Sequence, residues 1–424
     1  YVPIDLEYPE ERQQYMLSDS EAKVVVDGQF IAETDFSQDA TSIDLSTADG
    51  LAYMIYTSGS TGKPKGAMLH QVGLWNFINA VIDMEHLTAD DRISGHRSFS
   101  FDAHIEDLFP ILTVGGSFHL MPESIRLDLA AIRDFLFEHQ ITGGGYATPM
   151  ATLLLNTYED LPVRFMTAGG EKLTDVYSDH IEIINVYGPT ECTVDTSYYR
   201  IQPGCRVSNI PIGQTVANCY HFIVDNKGRL LPCGAVGELC FAGVQVGVGY
   251  WQQPELTVEV FCDCPFLPLG TDGLPVRMYY TRDLCRWNDE GQLEFLGRID
   301  DQVKLRGYRI ELGEIESCAS KFEGISQAVA VIRPIGNTDT LCLYYTADGD
   351  TAVNADELRQ FLSRMLAEYM VPALYMQLDA LPQTPNGKVD RRRLPAIEHS
   401  QLHTDYVAPR NELEKLIVSG FERC

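Results

Sequence analysis

This sequence is poor in positive charge: 32 lysines and arginines stand against 60 aspartates and glutamates, a formal net charge of −28. So acidic a chain lacks the basic footprint that a nucleic-acid backbone or an anionic membrane demands. A polyanion such as ATP can still bind where the charge is locally basic. No uninterrupted apolar run reaches the roughly 18 residues that a membrane span requires. The 11 cysteines include no CxxC pair and no Cys/His spacing that suggests zinc; Cys262 and Cys264 flank a single residue. An odd, scattered set reads as reduced thiols in a cytoplasmic protein. Internal repeats are absent. The chain opens on Tyr1 and not Met, and Tyr1-Val2-Pro3-Ile4-Asp5 reads as mid-domain. A fragment is therefore expected, and its opening says nothing about a signal peptide.

What remains is an ordinary globular composition, 45% hydrophobic and 22% charged, spread over 424 residues. That length is too great for one core and predicts two or three domains. The stretch that organises the rest is Tyr56-Thr57-Ser58-Gly59-Ser60-Thr61-Gly62-Lys63-Pro64-Lys65-Gly66, preceded by the apolar run Leu51–Ile55 and followed by a helix-like segment from Gln71. A strand feeding a loop of glycines, hydroxyls and two lysines is a design for gripping phosphate. It is not a Walker loop, because Thr57 and Pro64 stand where that pattern needs Gly and Ser or Thr. A flexible Gly/Ser linker is the plainer reading, but a linker needs neither paired lysines nor a preceding strand.

A helix is expected from Pro9 to Ser18, a short strand at Ala22–Val26 and a surface loop over 29–48. From 51 to about 225, apolar strands alternate with helices: Ser117–Met121, an amphipathic run Leu127–His139, Ile141–Ala147, then a helix through Leu153. That alternation predicts α/β architecture with a largely parallel sheet. Between 211 and 297, short runs such as His221–Val224, Glu238–Ala242 and Leu293–Leu296 predict a small β-rich unit. Residues 303–396 read as a further α/β piece: a helix from Leu312, strands at Gln327–Arg333 and Thr340–Thr346, and a helix Asn354–Tyr369. A polar linker, Tyr406–Asn411, precedes a helix start at Glu412–Phe421.

Six further stretches accompany the phosphate loop. They are Ser100-Phe101-Asp102-Ala103; Asn185-Val186-Tyr187-Gly188-Pro189-Thr190-Glu191; Gly237-Glu238-Leu239 with Gly247–Tyr250; Tyr280-Thr281-Arg282-Asp283-Leu284; Gly297-Arg298-Ile299-Asp300 through Gln302–Glu311; and Pro385-Asn386-Gly387-Lys388-Val389-Asp390-Arg391. In order, spacing and identity they resemble the adenylate-forming superfamily, and within it the adenylation domain of a nonribosomal peptide synthetase. The resemblance runs from Tyr1 to about Pro395. It implies an α/β large subdomain with a small β-rich unit over 1–299, incomplete at its start. A small mobile α+β subdomain over 300–398 follows, with a hinge at Asp300, then the linker and first helix of a carrier domain over 399–424.

The chemistry that the resemblance implies is attack of a carboxylate on the α-phosphate of ATP. Transfer of the acyl group to a carrier domain's phosphopantetheine thiol follows. Such chemistry asks for positioning and charge neutralisation, not for a covalent nucleophile. By resemblance, Thr57, Ser58, Gly59, Ser60, Thr61, Gly62, Lys63 and Lys65 meet the β,γ-phosphates. Tyr187, beside Gly188, meets adenine; Glu191, after Thr190, holds magnesium; Asp283 takes the ribose hydroxyls; and Arg298 lies near ribose and phosphate. Standing alone, Glu191 would be an ordinary solvated carboxylate and Tyr187 a core aromatic. Lys388, after an Asn-Gly turn signal, is the cation brought onto both the substrate carboxylate and the α-phosphate; otherwise it is a solvated turn lysine. Gly307 matches the loop lining the pantetheine tunnel.

Asp102 matches the residue that pairs with a free α-amino group, and it also reads as a helix N-cap. The remaining pocket positions are Ala103, Glu106, Gly145, Met166, Ala168, Val186 and Val194. Glu106 either invites a cationic side chain, lysine- or ornithine-like, or turns away to a neighbour and leaves a pocket for a neutral one. Gly145 leaves room for a long side chain, within a Gly143-Gly144-Gly145 run unusual at this place. Arg282 departs from the family, which usually has Gly there; it either alters the approach to Asp283 or points to solvent. Expected partners are ATP, an amino acid, a carrier domain and a neighbouring condensation domain, with no nucleic acid and no membrane. The rival readings are an acyl- or aryl-CoA ligase of the same superfamily and a non-catalytic nucleotide-binding relic.

Overall fold

The computed structural model describes residues 1–35, 46–59, 63–336, 338–347, 353–383 and 389–397. Strand–helix alternation after residue 51 yields a seven-stranded sheet in the order Ser117–Leu120, Arg92–Gly95, Gly143–Ala147, Phe165–Gly169, Glu182–Tyr187, Ser197–Ile201, Gln214–Thr215. The first five strands are parallel and the last two join antiparallel. Period-two alternation sends neighbouring side chains to opposite faces. Phe165, Ile184 and Val186 pack on one face with Leu74, Phe77 and Val81 of the helix Gln71–Glu85. Tyr146, Met166, Ala168 and Ile183 pack on the other with Ile132, Leu136, Ala151 and Leu154. Each fully buried aliphatic or aromatic side chain of this kind contributes about 1.5–3 kcal/mol.

Local chemistry sets the element ends. The expected helix at Leu127–His139 runs from Leu129 to Glu138, because the Asp128 carboxylate accepts from the amides of Ala130 and Ala131 at 3.0 and 3.1 Å. The run Ala22–Val26 is not a strand: it finds no pairing partner among the described residues, and Val24, Val25 and Val26 are exposed. Beyond it Asp27 caps a short helix, Gly28–Glu33, in what was expected to be loop. The phosphate-loop region also differs from expectation. Between the loop and the helix at Gln71 lies a strand, Lys65–His70, antiparallel to Leu51–Thr57 and joined on its other edge by Gly249–Tyr250. Its apolar run, Ala67-Met68-Leu69, set between glycine, lysine and histidine, is too short to announce a strand.

The β-rich unit is a five-stranded sheet built around the long strand Arg277–Trp287, which pairs with Gly237–Gly243, Phe261–Asp263 and Leu293–Arg298. A two-stranded hairpin, Gln302–Leu305 with Tyr308–Glu311, follows. Its turn holds Arg306 at φ 55° and Gly307 at φ 84°, the positive dihedrals of a tight hairpin turn.

By Cα proximity the chain divides into two compact units, one of residues 1–323 with 354–371 and one of 324–353 with 372–424. That division groups the helices Leu312–Ala319 and Ala355–Met365 with the first unit, whereas the sequence suggested a boundary at Asp300. The second unit carries the antiparallel pair Ile325–Ile335 and Thr338–Ala347, with Leu374–Gln377 parallel to the latter. Val329, Val331, Cys342, Tyr344 and Leu374 make its core. No helix among the described residues is long and apolar enough to cross a membrane. The ten cysteines among them are free thiols.

Candidate functional site

The loop after strand Leu51–Thr57 begins with Thr57 and Ser58, both buried. Gly59 follows where a Cβ would lie 2.0 Å from the Lys63 carbonyl, so only glycine fits. Ser60, Thr61 and Gly62 lie outside the described residues. The Ser58 hydroxyl donates to the Arg309 carbonyl at 3.2 Å, and the Gly59 amide donates to Glu314 at 3.1 Å. Lys63 stands over the Tyr15 ring at 5.3 Å. Lys65 comes from the neighbouring strand and turns inward, 3.9 Å from Glu191 and 3.1 Å from the Tyr250 hydroxyl. Burial lowers the Lys65 ammonium below its ordinary range, and Glu191 partly restores it.

Glu191 is fully buried in a short 3-10 turn, Thr190–Cys192. One of its oxygens accepts from Tyr250 at 2.7 Å and the other from Arg309 at 2.8 Å. Burial alone would raise this carboxyl, but Arg309 and then Lys65 hold it down at about 2. Both oxygens of this ionised carboxylate are thus taken, and a divalent ion would have to displace Tyr250 or Arg309 to bind it. Gly188 is required by close approach, since a Cβ there would sit 1.9 Å from the Val194 carbonyl.

Tyr187, Asp283, Arg298 and Asp300 form a chain of contacts. The Tyr187 hydroxyl donates to Asp283, and Arg298 pairs with the other oxygen of Asp283. Arg298 also makes a two-pronged pair with Asp300 at 2.7 and 2.8 Å. The Lys304 ammonium lies 5.3 Å over the Tyr187 ring, beside a cavity of about 30 Å³ bordered by Gly170, Ile212 and Phe295. That volume holds roughly two waters. Gly307 donates its amide to Glu171 and lies against Gly170 and Ala147, at the carboxyl ends of two parallel strands.

Asp102 lies half-buried just before the helix His104–Thr113. Burial raises its carboxyl, Thr190 opposes that, and Glu191 pushes it further up. The helix has no side-chain cap, so the N-cap reading of Asp102 does not hold. Glu106, one turn on, turns to a neighbour: Arg97 is ion-paired with it in the buried interior. The same guanidinium donates to the Ala103 carbonyl at 3.0 Å and to the Thr167 hydroxyl at 3.2 Å. A Cβ on Gly145 would lie 2.2 Å from it. The room expected above Gly145 is therefore filled by Arg97.

Val186 and Val194 share this face of the sheet, but Met166 and Ala168 do not. Strand alternation points those two into the opposite apolar layer, and Thr167, aligned with Gly145, takes their place. Val194 and its neighbour Thr193 have φ of 66° and 60°, unusual for β-branched residues. Buried Gln245 fastens this strained turn, donating to the carbonyls of Thr193 at 3.2 Å and Asp195 at 3.0 Å. Arg282 likewise sits at φ 61°, the conformation glycine prefers. It turns away from Asp283 to pair with Glu259.

Lys388 and residues 399–424 lie outside the described residues. Sequence reasoning missed Arg97, Thr167, Asp195, Gln245, Tyr250, Lys304, Arg309 and Glu314. The motif stretches contained Tyr250, Lys304 and Arg309, which gave a signal. Arg97, an isolated charge five residues before Asp102, was a weaker one.

The sequence matches the AMP-binding enzyme family over residues 1–251 and the AMP-binding enzyme C-terminal domain over residues 314–388. It is 39% identical to bacitracin synthase 1 of Bacillus licheniformis over 442 residues, covering 100% of this chain and 8% of that protein. It is 37% identical to tyrocidine synthase 1 of Brevibacillus parabrevis over 446 residues, covering 99% of this chain and 40% of that protein. The chain thus spans well under half the length of each of these relatives. In fold it is similar to the adenylation domain AlmE of Vibrio cholerae, solved with glycyl-adenosine-5'-phosphate. The TM-score is 0.78 and the identity 24%, over 92% of this chain and 82% of that one.

Proposed function

The chain belongs to the AMP-binding enzyme family, and from that premise we propose that it activates an α-amino acid with ATP within a nonribosomal peptide synthetase. One oxygen of the amino-acid carboxylate attacks the α-phosphorus and the bond to pyrophosphate breaks, leaving an aminoacyl-adenylate. A carrier domain's pantetheine sulfur then attacks the acyl carbon, and AMP leaves with the bonding pair.

The observation that carries this reading is buried Glu191, kept ionised by Arg309 and Lys65. Asp102, half-buried and raised by burial and in part by the Glu191 charge, would take the substrate ammonium next to Glu191. Lys65 and Arg309 supply fixed positive charge beside it, which stabilises anionic oxygens as they meet. Magnesium held by Glu191 would add further neutralisation of phosphate charge. Thr57 to Lys63 would cradle the terminal phosphates, Tyr187 and Asp283 the nucleoside, and Lys388 would bring the last cation. Asp300 would serve as the pivot between the two half-reactions, with Gly307 lining the thiol's path.

The pairing of Glu106 with Arg97 favours an amino acid with a neutral side chain. A second reading, a lysine- or ornithine-like side chain, draws on carboxylate oxygens of Glu106, Asp107 and Asp195 that lack a hydrogen-bond partner. Amino-acid-dependent ATP–pyrophosphate exchange tests the proposal, run over the proteinogenic amino acids, ornithine, aryl acids and short fatty acids. Exchange with an amino acid, lost in Asp102→Ala, is the expected result. Exchange confined to acids without an α-amino group would move the chain to the CoA-ligase branch.

A further inference from the structure

Arg97 is an arginine with little reason to be where it is unless it shapes the pocket. It comes from the loop after strand Arg92–Gly95 and its side chain is buried. Its guanidinium reaches three residues around the acyl pocket, the Ala103 carbonyl, Glu106 and Thr167, and covers a fourth, Gly145. Any side chain on Gly145 would collide with it, at 2.2 Å from the first added carbon. Glycine at 145 and arginine at 97 are therefore complementary: one vacates a volume and the other fills it.

Carboxyl groups crowd this guanidinium. Asp107 lies 3.9 Å from it, and Glu106 Oε1, Asp107 Oδ2 and Asp195 Oδ2 are buried without hydrogen-bond partners. Burial pushes the carboxyls of Asp107 and Asp195 up toward their neutral form, with Glu106 adding to both and Arg97 opposing. Among the described residues Arg97 is thus the cation that meets a floor rich in carboxyl groups, lying in the space a long substrate side chain would enter. A salt bridge kept only for stability would gain more from well-packed apolar residues.

Resting on the reading of the site as amino-acid-activating, we infer that Arg97 is a specificity-determining residue: it closes the deep, carboxyl-rich end of the pocket, neutralises Glu106 and restricts the substrate to short neutral side chains. Removing it exposes a floor built for a long cation. Lysine and ornithine, excluded while the guanidinium stands in their place, then become substrates.

The test is ATP–pyrophosphate exchange across all proteinogenic amino acids and ornithine, with the full-length protein and three variants. In Arg97→Ala, kcat/KM for lysine or ornithine relative to the best neutral amino acid should rise roughly tenfold or more. Arg97→Met keeps the bulk and removes the charge, so the pocket stays shallow and the ranking stays that of the parent. Arg97→Ala/Glu106→Gln opens the pocket without a carboxylate at 106 and should favour long neutral side chains over lysine; it also guards against misfolding from an unpaired Glu106. A spectrum that only falls uniformly in both alanine variants would make Arg97 a structural ion pair and overturn the inference. So would a parent enzyme that already prefers lysine. Absence of exchange with every amino acid in the parent would instead remove the functional reading on which the inference stands.

Discussion

Glu191 shows how one residue's chemistry follows from what surrounds it and not from its type. An exposed glutamate titrates near 4.5; here Arg309 and Lys65 overcome the penalty of burial and hold it at about 2. Because the folded value lies below the unfolded one, the carboxylate stabilises the fold above about pH 4.5. That contribution drains away as the pH falls toward 2. It amounts to roughly 3 kcal/mol at neutral pH, with roughly 2 kcal/mol of it gone by pH 3. Urea unfolding of the parent and of Glu191→Gln between pH 7 and pH 3 measures it. The gap between the two should narrow on acidification, and a constant gap would contradict the assignment. At the same scale, Arg282 was legible as a departure, but only its φ of 61° tells why glycine suits that position. Met166 and Ala168 were misread because a one-residue shift along a strand exchanges its two faces.

At the scale of elements, two connections hold the site's loops. The turn Thr190–Asp195 carries the acidic residue of the expected metal site and a pocket valine, and is kept in left-handed backbone at Thr193 and Val194. Gln245, from the far side of the chain, fastens it. Gln245→Ala leaves buried carbonyls unpaired and should cost about 1–3 kcal/mol. It should also raise KM for the amino acid more than KM for ATP, since Val194 lies nearer the acyl pocket; equal rises would argue that only global stability changed. The second connection is the buried pair Arg12–Glu314 at 2.7 Å, whose carboxylate also accepts from Gly59. Glu314→Ala abandons a buried guanidinium and an amide together, and denaturant unfolding should show a loss of about 3–5 kcal/mol. The sequence gives no pattern to link the two partners, which stand 302 positions apart in the chain.

For the whole molecule, the segment Lys304–Glu314 contacts the groups that the proposed function gives to a nucleotide. Lys304 covers Tyr187, Arg309 pairs with Glu191, and Glu314 takes the Gly59 amide. Under that proposal, nucleotide binding exchanges these contacts for its own. Lys388→Ala should then abolish adenylate formation, read by pyrophosphate exchange, while ATP binding, read by calorimetry, stays within a few-fold of the parent. Unimpaired exchange would remove Lys388 from the chemistry. By itself the sequence determined the family, the α/β class, a part of the strands and helices and the order of the phosphate, ribose and hinge motifs. Those are properties of local pattern: apolar periodicity, glycine placement and short runs of fixed residues. Only the tertiary structure decided that Glu106 is answered by Arg97, that Thr167 and not Met166 or Ala168 faces Gly145, and that Gln245 and Glu314 hold the loops. Such pairings join residues distant in the chain through burial and charge, and neither periodicity nor spacing records which buried charge will meet which.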